Sequence, residues 1–108
     1  MERNKEVRIS SRNVYTIYVR AFKEMLKDNN TIEYYALGNA IENAVRAAEM
    51  LCSLGFATLG KFNTLSVLEL DRSGVYRTRN KVIIILVKAS GFDKAYNDFN
   101  SSRPTKKD

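Results

Sequence analysis

Lys81-Val82-Ile83-Ile84-Ile85-Leu86-Val87-Lys88 decides how the rest of the chain is read. Its apolar run, Val82 to Val87, is far shorter than the ~20 residues of a membrane helix. β-branched side chains dominate it, and these favour extended backbone. Apolar residues occupy both alternating sets of positions, so both faces of the strand need cover. Such a strand belongs in the middle of a sheet.

Working outward, Asp71 to Asn80 reads as a long hairpin loop that returns the chain to a preceding strand, Thr64 to Leu70. Thr31 to Ala36 is β-branched and aromatic, a further strand, and Glu6 to Ser10 alternates like a short first one. Between these two, Val14, Ile17, Tyr18, Ala21, Phe22, Met25 and Leu26 recur at three and four, the stripe of an amphipathic helix. Ser11 or Asn13 is placed to cap it, and Asp28-Asn29-Asn30 ends it. Leu37-Gly38-Asn39 turns into a second helix with Ile41, Ala44, Val45, Ala48, Leu51 and Cys52 on its inner face, stopping at Gly55. Phe92, Ala95, Tyr96 and Phe99 are spaced as a short C-terminal helix. The expected fold is an α/β two-layer sandwich, β-α-β-α-β-β, with a mixed four-stranded sheet and two helices on one face. Two helices leave the other face bare, so either the Phe92–Phe99 segment or a second subunit should cover it, and a dimer is the favoured answer. Residues 1–100 are expected to form one domain and 101–108 a frayed basic tail.

Composition narrows the function. The chain has no histidine and a single cysteine, Cys52, which excludes histidine-dependent triads, Cys/His zinc sites and an internal disulfide. No secretory signal is recognisable in Met1 to Arg12, and a reducing compartment is expected. The acidic residues are scattered over helix surfaces, so no enzyme, cofactor or small-molecule substrate is expected. A lysine forming a Schiff base at an abasic site is the one catalytic alternative, and nothing singles out that lysine.

The net charge is +6, and its distribution is uneven. Residues 1–23 carry six basic and two acidic side chains, whereas 24–71 carry three basic and seven acidic. Residues 72–88 carry five basic and no acidic. Segregated positive charge points to an acidic partner, nucleic acid first. An anionic membrane ranks last, because the cations lie on loops and not along an amphipathic helix.

Three stretches carry a resemblance to a known family. These are Val7-Arg-Ile-Ser-Ser-Arg-Asn-Val14, Ala36-Leu-Gly-Asn-Ala-Ile41, and the hairpin with a basic tip and apolar last strand from Thr64 to Val87. In this order they resemble the Alba family of small basic DNA- and RNA-binding proteins, in its eukaryotic branch, protozoan parasites included. The resemblance implies an Alba or initiation-factor-3 C-terminal-domain-like fold, and a homodimer or a heterodimer with another Alba-like protein. It further implies binding to double-stranded DNA and RNA without strong sequence preference, in chromatin organisation or RNA and translation regulation, in nucleus and cytoplasm. The alternative it offers is a non-catalytic subunit of a ribonucleoprotein such as ribonuclease P or MRP. The sequence departs from the family where two lysines are usual, at Ser11 and Arg12, and where Leu37 and Asn39 replace the arginines of the glycine motif.

The candidate contacts are therefore Ser11, Arg12, Asn39, Arg72, Tyr76, Arg77, Arg79 and Lys81. Arginine and lysine would neutralise phosphates, with binding that weakens steeply as salt rises. Arg12 precedes a helix start, where backbone N–H groups also favour an anion. Asn39 can hydrogen-bond a phosphate. Tyr76 either stacks on an unpaired base or packs on the hairpin. Lys5 and Arg8 read as auxiliary, and Arg20 and Lys23 as the solvated face of the first helix.

Overall fold

The computed structural model describes residues 7–102, with side chains to residue 100. Its elements are β1 (Val7–Arg8), α1 (Tyr15–Asp28), β2 (Thr31–Leu37), a single 3-10 turn (Gly38–Ala40), α2 (Ile41–Ser53), β3 (Ala57–Leu70), β4 (Tyr76–Lys88) and α3 (Phe92–Ser102). The sheet order is β1-β2-β4-β3, with β1 parallel to β2 and the other pairs antiparallel. The apolar run at Val82 to Val87 thus lies on an interior strand. No helix among the described residues is long and apolar enough to cross a membrane.

Alternation along the two central strands sets the layers. Ile32, Tyr34 and Ala36 of β2 and Val82, Ile84 and Leu86 of β4 are buried under the helices. α1 supplies Phe22 and Leu26 to this core, and α2 supplies Ala44, Ala47 and Leu51. The alanines matter because small side chains let α2 approach the sheet closely. Tyr34, with no exposed surface, stacks on Phe22 at 4.7 Å and donates its hydroxyl to the Ala44 carbonyl at 2.9 Å. Burial pushes that phenol well above its usual range.

Several expectations need correction. β3 begins at Ala57, not Thr64, because a bulge between Leu59 and Lys61 interrupts the alternation that would have revealed it. Gly60 occupies the bulge, where a Cβ would stand 2.8 Å from Val87 Cγ2. β4 begins at Tyr76, so the expected ten-residue loop shrinks to Asp71–Val75. Tyr76 to Asn80 is paired backbone in register with Leu70 to Ser66. Among the described residues, β1 spans only Val7–Arg8. Neither Ser11 nor Asn13 caps α1: its cap residue is Val14, without a side-chain hydrogen bond, and Asn13 Nδ2 donates instead to the Tyr18 hydroxyl at 3.1 Å.

α3 does not cover the second face of the sheet. It packs beside α1 and the end of α2, with Phe92 and Phe99 against Phe56. The Tyr96 hydroxyl donates to the Glu24 carboxylate at 2.9 Å. Lys23, expected in solvent, is 6% exposed, its ammonium 4.7 Å from the Phe99 ring centre and 5.2 Å from that of Tyr96. Its aliphatic stem fills the α1–α3 seam while cation–π contacts hold the head. α3 also takes in Ser101 and Ser102, the start of the expected tail, and the rest of the tail lies outside the described residues.

Candidate nucleic-acid interface

The hairpin β3–β4 extends beyond the helical layer as an arm, and local chemistry shapes its tip. The Asp71 N–H donates to the Val75 carbonyl at 2.9 Å, and Gly74 adopts φ +86°, a left-handed value that glycine accepts without cost. Asp71 Oδ1 accepts from the Ser73 hydroxyl at 2.7 Å, the Ser73 N–H at 2.9 Å and the Val75 N–H at 3.0 Å. Asp71 Oδ2 accepts from Arg77 Nε at 2.6 Å. Arg77 above all, then Ser73 and Val75, holds the Asp71 carboxyl well below the usual carboxylate range. Further down the arm Arg79 Nε pairs with Glu69 Oε1 at 3.0 Å. The segment from Arg72 to Lys88 carries no acid of its own, yet folding brings Glu69 of β3 and Asp71 of the turn against its arginines. The arm is therefore less positive than its sequence suggests.

Strand alternation sorts the expected contacts. Arg77, Arg79 and Lys81 stand opposite Glu69, Val67 and Leu65 and share the outer face of the sheet. Tyr76 stands opposite Leu70 on the other face, with Leu68 and Phe62 in the same row. Tyr76 is 65% exposed and Leu68 67%, so the tip end of this side is apolar, with Thr64, Ser66, Thr78 and Asn80 between it and Phe62. The tyrosine and the arginines thus point to opposite sides. Arg72 is exposed at the tip.

At the base of the arm the structure gathers Arg8, Ser11, Arg12, Leu37, Asn39 and Arg79 around a recess of about 290 Å³. Gly38 makes the approach possible. It has φ +53°, and Arg79 Nη1 lies 3.3 Å from the point a Cβ would take. An arginine from β4 thus occupies the turn where the chain lacks arginines at 37 and 39. The other wall is held from below. The Ser10 N–H donates to the Tyr18 hydroxyl at 2.8 Å, and the Arg12 N–H donates to Ser10 Oγ at 3.0 Å. Asn43 Nδ2 reaches across from α2 to the carbonyls of Ser10, at 3.2 Å, and Asn13, at 2.7 Å. Asn43 and Tyr18 escaped the sequence reading because their work is done across elements. Arg8, read as auxiliary, lines the recess itself.

Of the eight residues singled out from sequence, Ser11, Arg12, Asn39 and Arg79 meet here. Arg72 and Arg77 sit toward the tip, and Tyr76 lies on the opposite face. Lys81 lies beside the recess, its ammonium 4.5 Å from the centre of the Tyr35 ring. Three guanidinium groups, a hydroxyl and a side-chain amide around a polar hollow can hold an anion of phosphate size.

The fold and the sequence both match known proteins. TM-score 0.74 relates this chain to the crystal structure of ALBA1 from Trypanosoma brucei, at 29% identity over 95% of this chain and 85% of that one. Alba from Thermoplasma volcanium shares the fold at TM-score 0.68 and 18% identity, over 78% of this chain and all of that one. An uncharacterized protein of Arabidopsis thaliana is 36% identical over 78 residues, 71% of this chain. The chain spans only 60% of that relative's length. The family model for Alba matches residues 5–66, which include β1, the Gly38 turn and the whole of α2, and so every lining residue of the recess except Arg79. The chain therefore belongs to the Alba family, whose members are generally nucleic-acid-binding proteins.

Proposed function

We propose that this protein binds DNA and RNA through the phosphate backbone, without strong base preference, as a non-catalytic protein of chromatin or of RNA regulation in nucleus and cytoplasm. The observation that carries the reading is the recess, where Arg8 and Arg12 of the N-terminal segment and Arg79 of β4 converge on one polar hollow. Phosphate contacts fix a backbone in place without reading sequence. Ser11 and Asn39 add hydrogen bonds, while Arg72, Arg77 and Lys81 extend the positive track along the arm. Tyr76 is assigned away from this track, to the apolar side of the arm.

That apolar side supports a dimer, of two identical or two related chains. Phe62, Leu68, Leu70 and Tyr76 are each at least 45% exposed, a row of large side chains that a second subunit would take out of water. Two arms on one dimer would double the backbone contacts. The test is filter binding of a duplex and an RNA to the protein and to the Arg8→Ala/Arg12→Ala/Arg79→Ala variant, with circular dichroism to confirm the fold. Binding to both ligands should fall together in the variant, and unchanged binding would overturn the assignment. A ribonucleoprotein-subunit role remains the second reading, since an apolar arm also suits a partner protein. Co-purification of one discrete RNA particle with the tagged protein would favour it.

A further inference from the structure

The sheet has a second face that α1, α2 and α3 leave open. Its centre is Tyr35 opposite Ile83, followed by Glu33 opposite Ile85 and Thr31 opposite Val87. On the β3 side Leu65, Asn63 and Lys61 stand opposite Lys81, Ile83 and Ile85. Tyr35, Ile83, Ile85 and Val87 are partly exposed, and Leu65 is 42% exposed. Charge frames this apolar centre unevenly. Among the described residues, Arg8, Lys61, Arg77, Arg79 and Lys81 supply the positive charge of this face, against Glu33 and against Glu69, which is paired with Arg79.

We propose that this face, centred on Tyr35 and Ile83, is a platform for the unpaired bases of a single-stranded nucleic acid whose backbone is anchored in the recess. The inference rests on the phosphate-binding reading and adds a ligand class to it. Arg8, Leu37 and Arg79 belong to both the recess and this face, so the two surfaces are continuous. A backbone held at the recess delivers its next bases onto Tyr35. Only unpaired bases can use the platform, because in a duplex the π faces of the bases are covered by the stacked neighbouring pairs. Aromatic and apolar side chains accept any base by stacking, and flanking lysines serve the phosphates. Lys81 suits that role. Its ammonium lies over the Tyr35 ring in the free protein and is within reach of a phosphate once a base takes the ring.

The test compares oligouridine and oligothymidine of about 12 nucleotides, within the span of such sites, with a duplex of the same length, by fluorescence anisotropy. Tyr35→Ala should weaken binding of both single strands about ten-fold, leave the duplex unchanged and be rescued by Tyr35→Phe. Equal loss for all three ligands, or no loss, overturns the platform. So does unchanged single-strand affinity together with dissociation of an oligomer, which would assign the face to a second protein chain. Failure of the unsubstituted protein to bind any ligand would instead bring down the phosphate-binding reading beneath it. Photo-cross-linking of a 5-iodouridine strand to the unsubstituted protein needs no variant. Cross-links at Tyr35 are expected, and cross-links at Tyr76 alone would contradict the proposal.

Discussion

Arg79 is held between two demands, an ion pair with Glu69 and a place in the recess, and substitutions at both positions separate them. The Arg79 and Glu69 side chains are 46% and 38% exposed, so the pair sits toward the aqueous limit. An arginine about 4 Å from a phosphate is worth ~1 kcal/mol in water and ~4 kcal/mol at an effective dielectric of about 20. Partial exposure puts Arg79 near the lower value, roughly 1.5 kcal/mol, so Arg79→Ala should weaken duplex binding about ten-fold. Glu69 competes with the phosphate for the same guanidinium. Exposed pairs of this kind are worth about 0.2–1 kcal/mol, so Glu69→Ala should tighten binding about three-fold. In Arg79→Ala the Glu69 carboxylate is left beside the ligand without its counter-charge. The double variant should therefore bind better than Arg79→Ala alone. The assay is anisotropy with one labelled duplex at one fixed salt concentration, run on all four proteins. Weaker binding by Glu69→Ala, or Arg79→Ala within two-fold of the parent, would refute the reasoning.

Other consequences concern the scaffold. Gly38→Ala puts a side chain at φ +53° against Arg79, so stability should fall by about 1–2 kcal/mol in thermal unfolding, with binding reduced as the guanidinium is displaced. Gly60→Ala meets Val87 Cγ2 at 2.8 Å and the Ile85 carbonyl at 3.2 Å, and should cost about 1–3 kcal/mol in urea unfolding, partly recovered by adding Val87→Ala. Tyr34→Phe removes a buried hydrogen bond to the Ala44 carbonyl, which keeps its donor within α2, and should cost ~0.5–1.5 kcal/mol. At the arm tip, the lowered Asp71 pKa means the charged form is favoured on folding. Its support is complete above the ordinary carboxylate value of about 3.9 and fades only as pH falls through the lower folded value. Ser73 and Val75 amide signals should therefore hold their native positions at pH 4 and move at neutral pH in Asp71→Asn.

The order of elements could be read from the sequence because local rules and global packing agree there. Val82 to Val87 is two-faced and interior, and Phe22 and Leu26 lie on the stripe their spacing defines. The arm was misjudged for a physical reason. Gly60 breaks the alternation at a bulge, and Tyr76 to Asn80 looks polar enough for a loop until its pairing with Leu70 to Ser66 is seen. Lys23 is invisible as a buried residue because its partners, Tyr96 and Phe99, lie more than seventy residues away. The recess divides the same way. Arg12 and Asn39 announce themselves beside helix starts. The arrival of Arg79 over Gly38, and its restraint by Glu69, depend on strand register, which composition does not encode.

The most direct measurement of the central claim is the salt dependence of duplex binding by the unsubstituted protein. Each phosphate neutralised contributes about 0.9 to the slope of log K against log salt. Arg8, Arg12 and Arg79 in one recess predict a linear fall with a slope near −3 or steeper for each bound chain. A slope near zero, with binding persisting at high salt, would contradict a phosphate grip.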